Sequence, residues 1–215
     1  MKFKYYFLSL SFMLFFMAFL GSSTLNAENN TPVSSSNNET TDKLIMSFLT
    51  HANIALGTVE QEDQLSVLIS TDFNGKFTDR NIRRANWEDI TDRFELSPVT
   101  EGDEFLATQA DISDLVKNND SFYIAFKYDT PAQTRDKRYV RWRVRNFNVV
   151  GVSNGDTTNL VEREPLTLHF KGPKEEGRTV ASRNQVIFRG NLKRANFSYP
   201  TEDWAISAKI IVPKK

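Results

Sequence analysis

The chain has 215 residues, with no cysteine, two histidines, and 27 basic side chains that balance 27 acidic ones. The absence of cysteine excludes disulfide bonds, thiolate metal sites and a lipid-anchored cysteine, and two distant histidines argue against a histidine-based metal cluster. A net charge of zero excludes the strong positive field on which sequence-independent nucleic-acid binding depends. We therefore expect no nucleic-acid partner and no cofactor, with calcium, considered below, as the one open alternative.

The first 27 residues have the three-part layout of a secretory signal peptide. Lys2 and Lys4 precede an uncharged apolar run from Phe7 to Leu20, and a polar stretch follows up to Ala27. The apolar run is shorter than the roughly 20 residues that a membrane-spanning helix needs. We predict a signal peptide over 1–27, export to the periplasm, outer surface or medium, and no membrane span after signal removal. An uncleaved N-terminal anchor is the alternative.

Residues 28–42 (ENNTPVSSSNNETTD) contain almost no apolar side chain, so we interpret them as a flexible polar linker. From residue 43 to residue 215 the length suits a single domain. Segments with alternating or continuous apolar residues recur there: LSVLIS, SFYIAFKY, VRWRVR, PLTLHF, NQVIFRG and WAISAKIIV. Glycine, proline, asparagine and charged residues separate them, which is typical of short strands. The pattern predicts an all-β sandwich of two sheets, with one helical turn near Asp111.

Five motifs follow one another along this segment: STDF (Ser70–Phe73), ANWEDIT (Ala85–Thr91), YIAFKY (Tyr123–Tyr128), WRVRNF (Trp142–Phe147) and DWAIS (Asp203–Ser207). In this order they resemble domain of unknown function 5017, a family of exported proteins of glycan-foraging Gram-negative bacteria. The resemblance implies a jelly-roll β-sandwich similar to galactose-binding and adhesin modules, with carbohydrate as the ligand class.

In the related adhesin modules the DWxIS strand commonly comes first, whereas here it comes last. The resemblance therefore implies a circularly permuted strand order, in which the strands at Lys43–Thr50 and Trp204–Val212 would be sheet neighbours. Family members often carry a lipid-anchored cysteine and an N-terminal immunoglobulin-like domain. This sequence contains neither, so we expect no lipid anchor.

Arginines alternate with apolar residues in RYVRWRVR, at residues 138–145. In a strand, Val140, Trp142 and Val144 share one face, and the opposite face carries Tyr139, Arg141, Arg143 and Arg145. One interpretation is a groove in which the arginines pair with carboxylates of an acidic polysaccharide and Tyr139 stacks on a sugar ring. The other is a solvated face whose arginines pair with acids on neighbouring strands, such as Glu95 or Asp92, which is the ordinary case.

Oxygen-bearing side chains cluster in STDFNGKFTDRN, where Asp72, Asn74 and Asp79 are candidate calcium ligands. Their spacing does not fit the calcium-binding loop pattern. Asn74-Gly75 is a strong turn pair, and a turn explains the segment without a metal.

Paired carboxylates in NWEDITDRFE (Glu88, Asp89 and Asp92) raise the alternative of a glycan-active hydrolase. Adjacent strand residues point to opposite faces, however, and Asp89 is better explained as the support of a turn with Thr91. Trp142 and Trp204 lie in apolar segments and are expected in the core. Trp87 follows polar residues and is the candidate for an exposed platform, a ring on which a sugar could stack.

The sequence thus predicts an exported, non-catalytic binding or adhesion module, with polysaccharide as the partner that the resemblance implies. The candidate ligand-binding residues are Trp87, Tyr139, Arg141, Arg143 and Arg145. A structural or protein–protein interaction domain of the cell envelope, with envelope proteins as partners, is the main alternative.

Overall fold

The computed structural model describes residues 43–54, 63–100, 102–130, 140–162, 166–171, 179–182, 184–189 and 200–213. All of them belong to one compact unit, Asn37–Lys215. The predicted signal peptide and linker lie outside the described residues, as does Tyr139. Among the described residues, no helix is both long and apolar enough to cross a membrane.

The described residues form thirteen strands, one short helix and two 3₁₀ turns. The helix α1 spans Asp79–Arg84, and the 3₁₀ turns span Thr91–Arg93 and Ser113–Val116. The strands are β1 (Lys43–Ile54), β2 (Leu65–Ser70), β3 (Glu88–Asp89), β4 (Val99–Thr100), β5 (Leu106–Asp111), β6 (Ser121–Thr130), β7 (Val140–Ser153), β8 (Asp156–Glu162), β9 (Thr167–Lys171), β10 (Val180–Ser182), β11 (Gln185–Phe188), β12 (Thr201–Ile206) and β13 (Ile210–Ile211).

The strands form two sheets, which confirms the predicted all-β sandwich. The seven-stranded sheet has the order β10-β11-β7-β1-β4, with β5 also paired to β1 and β8 to β7. The six-stranded sheet has the order β3-β2-β6-β12-β9, with β13 also paired to β6. The expected pairing of the first and last strands is wrong, because β1 and β12 lie in different sheets. Both edges of each strand are already paired. Strand β1 pairs with β7 on one edge and with β5 and β4 on the other, and β12 lies between β6 and β9.

The main core lies between the two sheets and follows the predicted alternation. One face of β2 and one face of β6 contribute Leu65, Val67, Ile69, Phe122, Ile124, Phe126 and Tyr128, all buried. From the other sheet, Val140, Trp142 and Val144 of β7 are buried in the same cluster, as predicted. Burial of each large apolar side chain contributes about 1.5–3 kcal/mol, so the alternation fixes which face of each strand points inward.

A second apolar cluster covers the outer face of the six-stranded sheet. Tyr123, Ala125, Trp204 and Ile206 extend from β6 and β12 into this outer cluster, and Phe73, Phe77 and Ile82 pack on them from the α1 segment. The helix α1 begins after Thr78, whose side chain accepts a hydrogen bond from the Asn81 backbone N–H. Among the described residues, no comparable apolar cluster lies on the outer face of the seven-stranded sheet.

Candidate functional site

The three arginines of β7 lie on the outer face of the seven-stranded sheet. Val140, Trp142 and Val144 point into the core, and Arg141, Arg143 and Arg145, the arginine row, alternate with them and are half-buried. The neighbouring strand β1 places Asn53, His51 and Leu49 opposite Arg141, Arg143 and Arg145 respectively. The predicted facing of this strand is therefore confirmed, and His51 joins the arginine row on the same face.

A short segment before β5, Gly102–Phe105, crosses the arginine row and is here named the strap. The Gly102 carbonyl oxygen lies 2.7 Å from His51 Nε2, and the Phe105 ring lies 5.2 Å from the His51 ring. The Arg145 guanidinium carbon lies 4.3 Å from the Phe105 ring centroid, which is within cation–π range. The strap therefore covers His51, whose side chain is fully buried, and leaves the arginine row partly open.

Among the residues that the structure describes, one carboxylate lies within ion-pair distance of the arginine row. Arg145 Nε donates to Gln185 Oε1 over 2.8 Å, and Arg141 Nη2 donates to Asn53 Oδ1 over 3.4 Å. Arg143 Nη1 lies 3.8 Å from Asp103 Oδ1, a long contact to a carboxylate whose side chain is 86% exposed. These partners are two neutral amides and one solvated acid, rather than the Glu95 or Asp92 that the sequence suggested.

Several buried polar atoms on this face have no hydrogen-bond partner among the described residues. They are His51 Nδ1, Arg141 Nε, Arg143 Nε and Asn148 Oδ1. Asn148 belongs to the same face because it pairs with Ser47 of β1. Buried polar atoms in folded proteins are normally paired, so these four atoms are the least satisfied polar groups of this face.

A groove with a volume of about 470 Å³ opens on this face beside the arginine row. Its lining residues come from β1, β5 and β7: Ser47, Phe48, Leu49, Ala107, Thr108, Gln109 and Asn146. Leu49, the cross-strand partner of Arg145, links the groove to the arginine row.

The groove lies where β7 carries a bulge. The register between β1 and β7 shifts between Ser47 and Leu49, and Asn146 has a φ of +52°. The Asn146 N–H donates to the Asn184 carbonyl oxygen over 3.0 Å instead of pairing with β1. Bulges redirect side chains and are frequent beside functional sites. Neither the strap nor the bulge leaves a local pattern in the sequence, so this site could not be predicted from it.

Trp87, the predicted platform, lies on the opposite outer face of the sandwich. Its indole Nε1 donates to the Ile82 carbonyl oxygen over 2.9 Å. Its ring packs against Phe73 and Trp204, each at a centroid distance of 5.5 Å. The structure therefore does not bring Trp87 together with the arginine row. Trp142 is buried in the main core as predicted, and Trp204 is buried in the outer cluster.

The predicted calcium ligands Asp72 and Asp79 are engaged by other protein side chains. Asn86 and Ser70 donate to Asp72, and these hydrogen bonds outweigh the opposing effect of burial and lower the pKa of Asp72. Arg83 Nε donates to Asp79 over 2.8 Å and lowers the pKa of Asp79. Among the described residues, no group of three His, Cys, Asp or Glu side chains is arranged to hold a metal.

The predicted turns are confirmed. Asn74 Oδ1 accepts a hydrogen bond from the Lys76 N–H, and Gly75 adopts a φ of +74°. Asp89 Oδ1 accepts hydrogen bonds from the Thr91 N–H and hydroxyl over 2.9 and 2.5 Å. Asp89 therefore supports a turn, as expected, and its hydroxyl partner Thr91 also accepts from the Val67 N–H of β2.

Comparison with known proteins identifies a family. The family model described as "Domain of unknown function (DUF5017)" matches residues 35–167, which is more than half of the chain. This range covers four of the five motifs and ends before the DWAIS motif at Asp203–Ser207. No curated protein and no solved structure matches the chain. The chain therefore belongs to the DUF5017 family.

Proposed function

We propose that the chain is an exported, non-catalytic binding or adhesion module that binds carbohydrate on the outer face of its seven-stranded sheet. The observation that carries the proposal is the groove at the β7 bulge, whose volume of about 470 Å³ is in the range of small-molecule sites. The ligand class itself comes from the family resemblance, because fold alone does not determine function.

The lining of the groove suits a sugar. Gln109 and Asn146 each offer an amide that can donate and accept hydrogen bonds, and Ser47 offers a hydroxyl. Leu49 and Ala107 provide apolar surface between these polar groups. Such a mixture matches a ring that carries hydroxyls on its edge and C–H groups on its faces.

Two features argue for binding rather than hydrolysis or protein association. The described lining of the groove contains no carboxylate, whereas glycoside hydrolysis uses two that flank the scissile bond. The large apolar side chains exposed among the described residues are Val99, Val180 and Ile211. Val99 and Val180 lie on strands at opposite ends of the seven-stranded sheet and Ile211 lies in the other sheet, so they do not form the contiguous patch typical of a protein interface.

A glycan-array screen followed by calorimetry on the glycan that binds tests the proposal. Gln109→Ala and Asn146→Gly each remove a side-chain amide, and glycine preserves the positive φ of Asn146. Each lost hydrogen bond is expected to raise Kd about fivefold, since its net contribution is about 1 kcal/mol. Asn118→Ala, on an exposed turn, is the matched control and should leave Kd unchanged. Failure of the chain to bind any glycan would contradict the proposal.

A further inference from the structure

The arginine row carries more positive charge than the described residues around it neutralise. Among the described residues, one carboxylate lies in ion-pair range of the three guanidinium groups, Asp103 at 3.8 Å from Arg143, and their other contacts are to neutral amides and an aromatic ring. The Arg143 side chain is only 20% exposed, so bulk water stabilises its charge less than it would on an open surface. The ion pair of Arg143 with Asp103 is long, and Arg141 and Arg145 make no ion pair among the described residues, so a bound anion would supply negative charge that this part of the face lacks.

The arrangement favours a linear anion over a single small one. Arg141, Arg143 and Arg145 alternate along one strand, so their Cα atoms are spaced by about 6.6–6.8 Å. The row ends at Arg145, whose cross-strand partner Leu49 lines the groove. A polymer that occupies the groove therefore reaches the arginine row at Arg145, beside the strap residue Phe105.

We infer that the ligand is an acidic polysaccharide whose carboxylates pair with the arginine row while a neighbouring sugar occupies the groove. This inference rests on the proposed function and names the class of glycan. Arginine pairs with carboxylates in a bidentate geometry, which gives orientation as well as affinity. The neutral overall charge of the chain provides no general attraction for polyanions, so recognition depends on this local row.

The test compares polygalacturonate with its fully methyl-esterified form, which has the same backbone but no carboxylate charge. The wild-type chain should bind polygalacturonate at least tenfold more tightly, and the preference should shrink as NaCl rises from about 50 to about 500 mM. The triple variant Arg141→Gln, Arg143→Gln and Arg145→Gln should lose this preference and keep its affinity for the esterified polymer.

A matched control removes three cations from the opposite side of the sandwich. Lys76→Gln, Arg80→Gln and Arg84→Gln alter exposed side chains of the α1 segment and should leave both affinities unchanged. Thermal melts of all variants report folding. If the triple variant melts early, the single variants Arg141→Gln and Arg145→Gln take its place, together with Arg143→Lys, which keeps the charge and removes the bidentate geometry.

The outcomes separate the two proposals. Equal affinity for both polymers, or a triple variant that retains the preference, overturns the inference and leaves carbohydrate binding intact. Binding to neither of these polymers nor to any arrayed glycan overturns both proposals. Equal affinity for polygalacturonate, a sulfated polysaccharide and duplex DNA also overturns the inference, because it would show a response to charge alone.

Discussion

At the scale of single residues, the most unusual group is Asp203 in the DWAIS motif. Its carboxyl is buried and accepts a hydrogen bond from the Thr179 hydroxyl, which lies just before β10 in the other sheet. Burial raises the pKa of Asp203 to about 6, although the hydrogen bond from Thr179 opposes the shift. The sequence marked the residue as part of a motif, but its burial depends on how the two sheets meet and leaves no local signal.

Asp203 should make folding stability depend on pH. Its pKa rises from an ordinary 3.8 to about 6 in the folded chain, so between these values the folded state binds more protons than the unfolded state. The free energy of unfolding should therefore fall as pH rises through this window, by about 3 kcal/mol in all, and level off above it.

Asp203→Asn should remove this dependence and raise the free energy of unfolding near neutral pH. The amide oxygen can still accept the Thr179 hydrogen bond, and no charge is buried. Urea unfolding at a series of pH values measures the effect, with Asp92→Asn at an exposed position as the control. An unchanged pH slope in Asp203→Asn would refute this assignment.

At the scale of elements, the strands and the turns at Gly75 and Asp89 were predictable, whereas the helix α1 and the strap were not. Alternation identified the long strands and their core faces, including that of β7, because a wrong facing would bury charge and expose apolar side chains. The helix α1 was not predicted, because its six residues are too few to show helical periodicity. The strap could not be predicted from the sequence either, because its contacts depend on the register between β1, β5 and β7.

The turn at Gly75 is expected to require glycine, and a substitution can test this. An added Cβ there would lie 2.7 Å from the Tyr123 hydroxyl, and the φ of +74° disfavours any other residue. Gly75→Ala should lower the free energy of unfolding by more than 1 kcal/mol. Gly155→Ala, at a φ of +90° with no atom within 4 Å of the new Cβ, should cost less. Denaturant titration compares them, and equal losses would exclude a role for the Tyr123 contact.

The position of the strap over the arginine row should depend on the contacts of Phe105. Replacing it with alanine removes the contacts with the Arg145 guanidinium and the His51 ring, so the strap should open more readily. We expect faster amide exchange at Gly102–Phe105 and a loss of about 1–2 kcal/mol in the free energy of unfolding. Val99→Ala, at an exposed site on β4, is the control. Exchange rates that match wild type in the strap would show that Phe105 does not hold it.

At the scale of the whole molecule, the two outer faces of the sandwich differ in chemistry. The outer cluster covers the six-stranded sheet with aromatic side chains, whereas the seven-stranded sheet presents the arginine row and the groove. The sequence placed Trp87 and the arginines in one candidate site, and the structure places them on opposite faces. Local patterns give the facing of a strand but not the sheet that it joins, because strand order is set by long-range pairing.

Backbone amide chemical-shift mapping with a bound glycan tests the central claim most directly, because it locates the ligand. The largest shifts are expected at Ser47, Gln109 and Asn146 around the groove. An acidic glycan should extend them along the arginine row, and Trp87 and the outer cluster should remain unchanged. Shifts centred on Trp87, or no shifts at the groove, would contradict this claim.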